Sequence, residues 1–398
     1  MWWLFFVMVP SLVVSWLLGF ALRVWAPRWG LVDRPGPRKV HDRPMPTSGG
    51  LAIWLGVVLP FAILQMMLWF TFDSRPLHGL VTPELVAGFF PREWLPIQAA
   101  RHLPGVWAQS GRLWTVLGLA TVVMTLGLAD DRWKLPWWFR LVVEFIVAGV
   151  TVAAGYRLTL FIEVPLLTGI LSVLWIVALI NAFNMLDNMD GLAAGVAAIA
   201  CTVLAAVMLL TPKPVTGEPQ LFVAGFFLVL LGALLGFLWH NRPPARLFMG
   251  DAGSYFVGYL VAVISMTATF AGENTPRHAV LAPLCALAVP LYDLVTVVVI
   301  RLRAGASPFV GDTRHFSHRL VELGMTKTQA VLTIYLMAAT CGLGALLLHQ
   351  VNTFGALVIL LLVGCMISLI AILETTGRRA QRRKKEKDME SPSGPRLN

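Results

Sequence analysis

The sequence predicts an all-α polytopic membrane protein with about 11 transmembrane helices, the N-terminus outside and the C-terminus cytoplasmic. Three observations carry that expectation. Hydrophobic residues make up 57% of the chain and charged residues only 13%, more apolar sequence than one water-soluble core can bury. The apolar residues fall in runs of roughly 20, the length that crosses a bilayer. Of the 31 Lys and Arg residues, 24 lie in one set of alternate loops and in the C-terminal tail, the side on which basic residues are retained in the cytoplasm.

Taken in order, the spans are expected over roughly 2–24, 48–70, 113–129, 138–155, 165–183, 191–211, 220–239, 253–271, 278–300, 328–348 and 353–375. The first lacks a basic start and a small-residue cleavage site, so it is read as an anchor that stays and not as a signal peptide. Residues 1–376 are expected to form one multi-pass transmembrane domain. Within it, 71–112 is an outer loop whose Trp, Phe and Pro suit an interfacial or re-entrant segment. Residues 377–398 form a basic, disordered cytoplasmic tail. The net charge of +10 is accounted for by this topology and by the run from Arg378 to Lys387 near anionic headgroups, so nucleic acid is not an expected partner. Cys201, Cys285, Cys341 and Cys365 fall inside apolar spans without metal-ligand spacing, which argues against a disulfide framework or a zinc site.

The inner segments are 24–47, 130–137, 184–190, 240–252 and 301–327. Asp130, Asp131, Asp187, Asp190, Asp251 and Asp293 sit in or beside apolar helices, where a carboxylate is costly without a partner or a function. Asp130 and Asp131 close the third span in GLADDRWKLP. Two adjacent ionised carboxylates call for a cation, and Arg132 and Lys134 are the local candidates; the plainer reading is a helix end leaving the membrane. In NAFNMLDNMDGLAAG, Asn181, Asn184 and Asp187 are spaced by three and share one helical face, and Asp190 and Gly191 open the next span. Such oxygen donors suit a hard cation such as Mg2+, which keeps room for substrate phosphates. Asp190 alone would also be explained as a helix cap.

In RLFMGDAGSYFVG, the turn of Gly250, Asp251, Ala252, Gly253 and Ser254 lets backbone amides approach an anion at a helix start, with Asp251 a metal ligand beside it. Phe248 either stacks on a base ring or packs. In GDTRHFSHRL, Arg314, His315, His318 and Arg319 cluster where a diphosphate would need donors. Topology-setting charge explains Arg301 and Arg303 well but the two histidines poorly.

In this order, Asp-Asp, Asn-x-x-Asn-x-x-Asp-x-x-Asp-Gly, Phe-x-Gly-Asp and Arg-His-x-x-His, the motifs resemble the polyprenyl-phosphate N-acetylhexosamine-1-phosphate transferases of glycosyltransferase family 4. The first inner loop, DRPGPRKVHDRPMPTSGG, with Lys39, His41, Pro46, Gly49 and Gly50, is similar to that family's opening motif. The likeness spans roughly residues 30–325. The stretch RHFSHRL resembles the branch that transfers GlcNAc-1-phosphate for surface polysaccharides, not the peptidoglycan branch with its run of three histidines. Asn188 is a departure, because many members have Gly between the paired aspartates. Asn tolerates positive φ, so the turn is expected to survive.

The resemblance implies that a UDP-N-acetylhexosamine and a polyprenyl phosphate give polyprenyl-diphospho-sugar and UMP at the cytoplasmic face of a bacterial plasma membrane, in a chain that is compatible with a homodimer. It implies Mg2+, with Mn2+ as an alternative ion, on Asn184 and Asp251 with Asp187 a third ligand. Asp190 and Phe248 would hold uridine, while Asn181, Lys39 and His41 belong to the substrate site. Arg314, His315 and His318 would meet the diphosphate, and Asp130, supported by Asp131, would steer or deprotonate the lipid phosphate. Two alternatives stand beside this reading: the same chemistry with another UDP-HexNAc or a UDP-MurNAc-pentapeptide donor, and an ion-coupled transporter. The transporter would cluster its carboxylates near the bilayer midplane, where only Asp293 lies.

Overall fold

Inside hydrocarbon a backbone can satisfy its polar groups only through helices or a closed barrel, and this chain uses helices. The computed structural model describes residues 3–34, 44–72, 103–158, 164–210, 219–268, 276–309 and 314–390. Its main elements are α1 Trp3–Trp25, α2 Gly49–Phe72, α3 Ser110–Trp133, α4 Trp137–Ala153, α5 Pro165–Leu186, α6 Leu192–Leu210, α7 Leu221–Asn241, α8 Gly250–Thr267, α9 Ala288–Arg303, the short α10 Phe316–Glu322, α11 Lys327–Leu347 and α12 Thr353–Glu390. Among the described residues the one sheet is a two-stranded antiparallel pair, β1 Val32–Asp33 with β2 Met45–Pro46. That pair closes the neck of the first inner loop. Lys39 and His41, expected at the substrate site, lie outside the described residues, as does 73–102 of the expected outer loop.

By length and composition, eight helices among the described residues can cross a membrane, and a ninth span is made by Arg277–Ala286 and α9, bent by 68°. The bend has a cause: Pro290 carries no N–H to give to the Ala286 carbonyl, so the helical ladder is interrupted there. The spans expected over 138–155 and 253–271 are present as α4 and α8, of 17 and 18 residues, near the lower end of the lengths that cross a bilayer, and they are not among the eight that combine length and apolarity. The expected number of spans is therefore not reached on these criteria, although the chain is an all-α, multi-pass membrane protein. The last helix extends into the basic tail. There α12 runs on to Glu390, in keeping with its Arg, Lys, Gln and Glu residues, which are strong helix formers.

The centre of the bundle is α8, buried from Ala252 to Met266 and packed against α3, α5 and α2. Small residues let its neighbours come close. A Cβ at Gly50 would lie 2.3 Å from the Gly253 nitrogen, and one at Gly127 would lie 2.4 Å from the Asp251 carbonyl, so α2 and α3 meet the opening of α8 backbone to backbone. The Gly49 and Gly50 N–H groups donate to the Phe248 and Met249 carbonyls, each at 2.9 Å. Two sequence motifs some 200 residues apart are thereby joined. By contrast α12 exposes Leu357, Leu361, Leu362 and Leu369, as a helix facing lipid does, and buries one carboxylate, Glu374.

Candidate active site

The ends of α3, α5 and α8 meet in an acidic corner. Asp131, in the last turn of α3, accepts from the N–H groups of Asp251 (3.1 Å) and Ala252 (3.2 Å), so it caps α8. The backbone amides expected to receive a substrate anion at this turn are thus already taken by a side chain of the protein. Gly250 has φ +70, and a Cβ there would lie 2.6 Å from Asp131 Oδ2; only glycine allows this approach. Asn184, in the last turn of α5, donates to Asp251 Oδ1 at 2.6 Å and to Ser254 Oγ at 3.2 Å. Its amide oxygen is left for other use.

Asp187 follows at the C-terminal end of α5. Burial, then the charges of Asp251 and Asp190, push its carboxyl up to about 8, partly offset by the Gly250 N–H. Asp190 accepts from the Ala245 N–H at 2.9 Å, which ties it to the loop before α8 and not to the start of α6 as a cap. Among the described residues none of Asp187, Asp190 and Asp251 makes an ion pair. Nor do three His, Cys, Asp or Glu side chains among those residues stand close enough to form a metal centre unaided. Two carboxylates, one amide oxygen and uncompensated negative charge do fit Mg2+, which takes few protein ligands and completes its shell with water and phosphate.

Asp130 is placed differently from its neighbour. It is buried, accepts from Arg140 Nη1 at 2.6 Å and from the Leu135 N–H at 2.7 Å, and has the Tyr255 hydroxyl at 3.5 Å. The cation that balances it is therefore Arg140, one turn into α4, and not Arg132 or Lys134, whose side chains are exposed. Sequence reasoning missed Arg140 because it lies ten residues away on another helix. Lys134 instead takes the left-handed conformation that ends α3, φ 53. Asn188 does not: among the described residues Lys134 alone of the non-glycines has positive φ. The left-handed step falls to Gly191, φ 76. Asn188 instead accepts from the Ser317 hydroxyl and donates to the Met185 carbonyl.

The histidine segment forms another wall of the same cavity. His315 Nδ1 sits 3.0 Å from Asp293 Oδ2, and Asp293 Oδ1 accepts the Phe316 N–H at 2.6 Å. Fully buried Asp293 thus fixes the ring and leaves Nε2 for the cavity. The His318 ring lies 6.4 Å from that of His315. Arg319, grouped with them in the sequence, turns away. It is buried and donates to Glu374 at 2.8 Å, to the Arg314 carbonyl at 2.7 Å and to Thr296 at 3.1 Å, so it is a structural anchor.

These walls enclose one cavity of about 2180 Å3, lined by Asp131, Asn181, Asn184, Asp187, Asp190, Phe248, Asp251, His315 and His318 from the expected set, and by Arg140, Lys134 and Glu144 beyond it. Asp130 stands behind this wall, and Arg314 is not among the lining residues. Glu144 is legible in the sequence as a lone carboxylate in the apolar run LVVEFIVAGV, away from the helix ends where the other acidic residues collect.

Residues 113–269 match the Glycosyl transferase family 4 profile. Over 359 residues the chain is 30% identical to the decaprenyl-phosphate N-acetylglucosaminephosphotransferase of Mycobacterium tuberculosis (strain ATCC 25618 / H37Rv), covering 85% of this chain and 80% of that protein. It is 29% identical to a probable undecaprenyl-phosphate N-acetylglucosaminyl 1-phosphate transferase of Bacillus subtilis (strain 168), covering 87% and 85%. It is likewise 29% identical to the undecaprenyl-phosphate alpha-N-acetylglucosaminyl 1-phosphate transferase of Escherichia coli (strain K12), covering 82% and 79%. Ordered motifs, converging geometry and end-to-end similarity agree: the chain is a membrane phosphotransferase that belongs to glycosyl transferase family 4, the polyprenyl-phosphate N-acetylhexosamine-1-phosphate transferases.

Proposed function

We propose that this chain transfers GlcNAc-1-phosphate from UDP-GlcNAc to a polyprenyl phosphate, releasing UMP, on the cytoplasmic face of a bacterial plasma membrane. In this reading the N-terminus is outside and the basic tail inside, as the distribution of Lys and Arg supports. The observation that carries it is the pairing of opposites across one cavity: unpaired Asp187, Asp190 and Asp251 on one wall, His315 and His318 on the other. A diphosphate with its cation fits between such walls.

In the reaction an oxygen of the lipid phosphate bonds to the sugar-bearing phosphorus of the donor. The bond from that phosphorus to the UMP oxygen breaks, and UMP leaves with the electron pair. Both partners are anions, so the site must offset repulsion. Mg2+, when bound, would supply part of that positive charge, held by Asp251, the Asn184 oxygen and Asp187. His315, oriented by Asp293, would donate from Nε2 to a diphosphate oxygen, with His318 beside it. Asp190 and Phe248 would bound the uridine end.

Arg140 supplies the remaining charge. Its Nη1 is held by Asp130 and the Tyr255 hydroxyl, and the side chain lines the cavity, so the guanidinium brings positive charge to the acceptor phosphate. A phosphate monoester with a second pKa of about 6 is already mostly dianionic at neutral pH, so it needs no base. Asp130 then contributes by aiming Arg140, and Asp131 by fixing the turn that carries Asp251. Of the carboxylates inside spans, Asp293 is held by His315 and the Phe316 N–H and Glu144 by the Asn181 amide, which favours the enzyme reading over an ion-coupled transporter.

The test is turnover by the purified protein with UDP-GlcNAc, polyprenyl phosphate and Mg2+. UMP should appear, and a panel with UDP-GalNAc and UDP-MurNAc-pentapeptide should favour UDP-GlcNAc. No UMP release with any of these donors would overturn the reading.

A further inference from the structure

Glu144 is a carboxylate in the middle of α4, 1% exposed, on the stripe that includes Val147, Ala148 and Thr151. Its neighbour one turn earlier, Arg140, is committed to Asp130 and Tyr255. What Glu144 does hold is Asn181: the Asn181 Nδ2 group donates to Glu144 Oε2 at 2.5 Å and to the Val177 carbonyl at 2.9 Å. Both amide hydrogens are thereby used. The opposite orientation of the amide would face its oxygen toward a carboxylate and a carbonyl, two acceptors with no hydrogen between them, so the chemistry of the two partners decides which way it points. Asn181 lines the cavity one helical turn from Asn184, and its one group with spare capacity is its oxygen, an acceptor.

We propose that Glu144 is a positioning residue that locks the Asn181 amide, so that its oxygen faces the cavity as an acceptor for a hydroxyl or amide N–H of the nucleotide-sugar donor. This rests on the reading of the cavity as a nucleotide-sugar site. Without Glu144 the amide is free to turn, and half of its orientations present N–H groups where the substrate also presents hydrogens. An acceptor whose orientation is fixed beforehand binds without a reorganisation cost. Glu144 itself exchanges no proton with substrate in this scheme. Any side chain that presents an oxygen to Asn181 should serve.

The experiment compares Glu144→Gln, Glu144→Ala, Asn181→Ala and the double variant Glu144→Ala/Asn181→Ala in steady-state UMP release, varying UDP-GlcNAc and lipid phosphate separately. Loss of a buried acceptor should lower kcat/KM for UDP-GlcNAc by about tenfold or more in Glu144→Ala. KM for the lipid should stay unchanged. Glu144→Gln, which keeps an acceptor oxygen, should stay within about threefold of the wild type with an unaltered pH profile. The double variant should be no worse than Asn181→Ala alone, because one residue acts through the other. Equal loss in Glu144→Gln and Glu144→Ala, a flattened pH profile in Glu144→Gln, or additive losses in the double variant would each overturn the proposal. Thermal unfolding in detergent separates misfolding from these outcomes, and Glu144→Gln carries the test if Glu144→Ala does not fold. Wild-type turnover of UDP-GlcNAc is the control: its absence overturns the reading of the cavity, while its presence with a fully active Glu144→Ala overturns only the role of Glu144.

Discussion

The two walls of the cavity treat their carboxylates in opposite ways. On the histidine side every buried acid is matched: Asp293 with His315 and the Phe316 N–H, Glu374 with Arg319 and the Tyr292 hydroxyl. On the acidic side Asp187, Asp190 and Asp251 gather with no ion pair among the described residues, although Lys134 and Arg140 line the same cavity. The difference teaches which charges hold the fold and which wait for a ligand. A matched buried pair costs stability when one partner is removed. A cluster of like charges costs stability while it stays unneutralised, and it recovers that cost when something positive arrives.

The sharpest way to break this contrast is Asp251→Ala. UMP release should fall by about a thousandfold or more, as expected when charge stabilisation at the reacting phosphate is removed, and chelation of divalent ions should silence the wild type until Mg2+ is returned. If Asp251→Ala retained wild-type rates, the acidic wall would not be the catalytic one. Next in size, Asp293→Asn should lower kcat on the order of a hundredfold by releasing the His315 ring, with the protein still folded by circular dichroism. On the matched side the damage should appear in stability instead. Glu374→Ala leaves Arg319 buried without its counter-charge and should cost about 3–5 kcal/mol, visible as a lower unfolding temperature in detergent. Asp251→Asn, by contrast, should leave that temperature unchanged or raise it.

The acidic wall also sets a pH dependence. Because the Asp187 carboxyl is pushed up to about 8, the folded metal-free protein holds that proton more tightly than the unfolded chain does. Its contribution to stability is therefore lost as pH rises from the ordinary value of 3.8 towards about 8. Metal binding needs the carboxylate, so Mg2+ affinity should strengthen with pH over the same upper range, by up to about tenfold per unit below that pKa. Titration calorimetry at pH 6.5 and 8.5 checks this; equal affinities would place Asp187 outside the metal site. The smallest expected effect is that of Asn188→Gly, which removes the bond to Ser317 and should cost about 1 kcal/mol without changing kcat.

Much of this was legible in the chain itself. Apolar runs gave the helices, because length and hydropathy decide what hydrocarbon tolerates, and the spacing of Asn181, Asn184 and Asp187 announced a shared face. What escaped was pairing across helices. Nothing in GLADDRWKLP says that Asp130 will be met by Arg140 and not by Arg132, since the choice depends on how α4 packs beside α3. Arg319 read as a substrate donor because it sits beside Arg314, His315 and His318 in sequence; its partner, Glu374, lies 55 positions away. The amides of the GDAGS turn looked open to phosphate because only the fold brings Asp131 to them.

The junction at the head of α8 bears on how the enzyme comes into being. Its parts come from far apart in the chain: glycines of α2, the cap from α3 and an amide from α5; the histidine segment beside it waits for the carboxylate of α12, which holds Arg319. A nascent chain released before its final span would carry every acidic motif and yet no finished centre. Unfinished copies left in the bilayer would therefore lack an assembled centre.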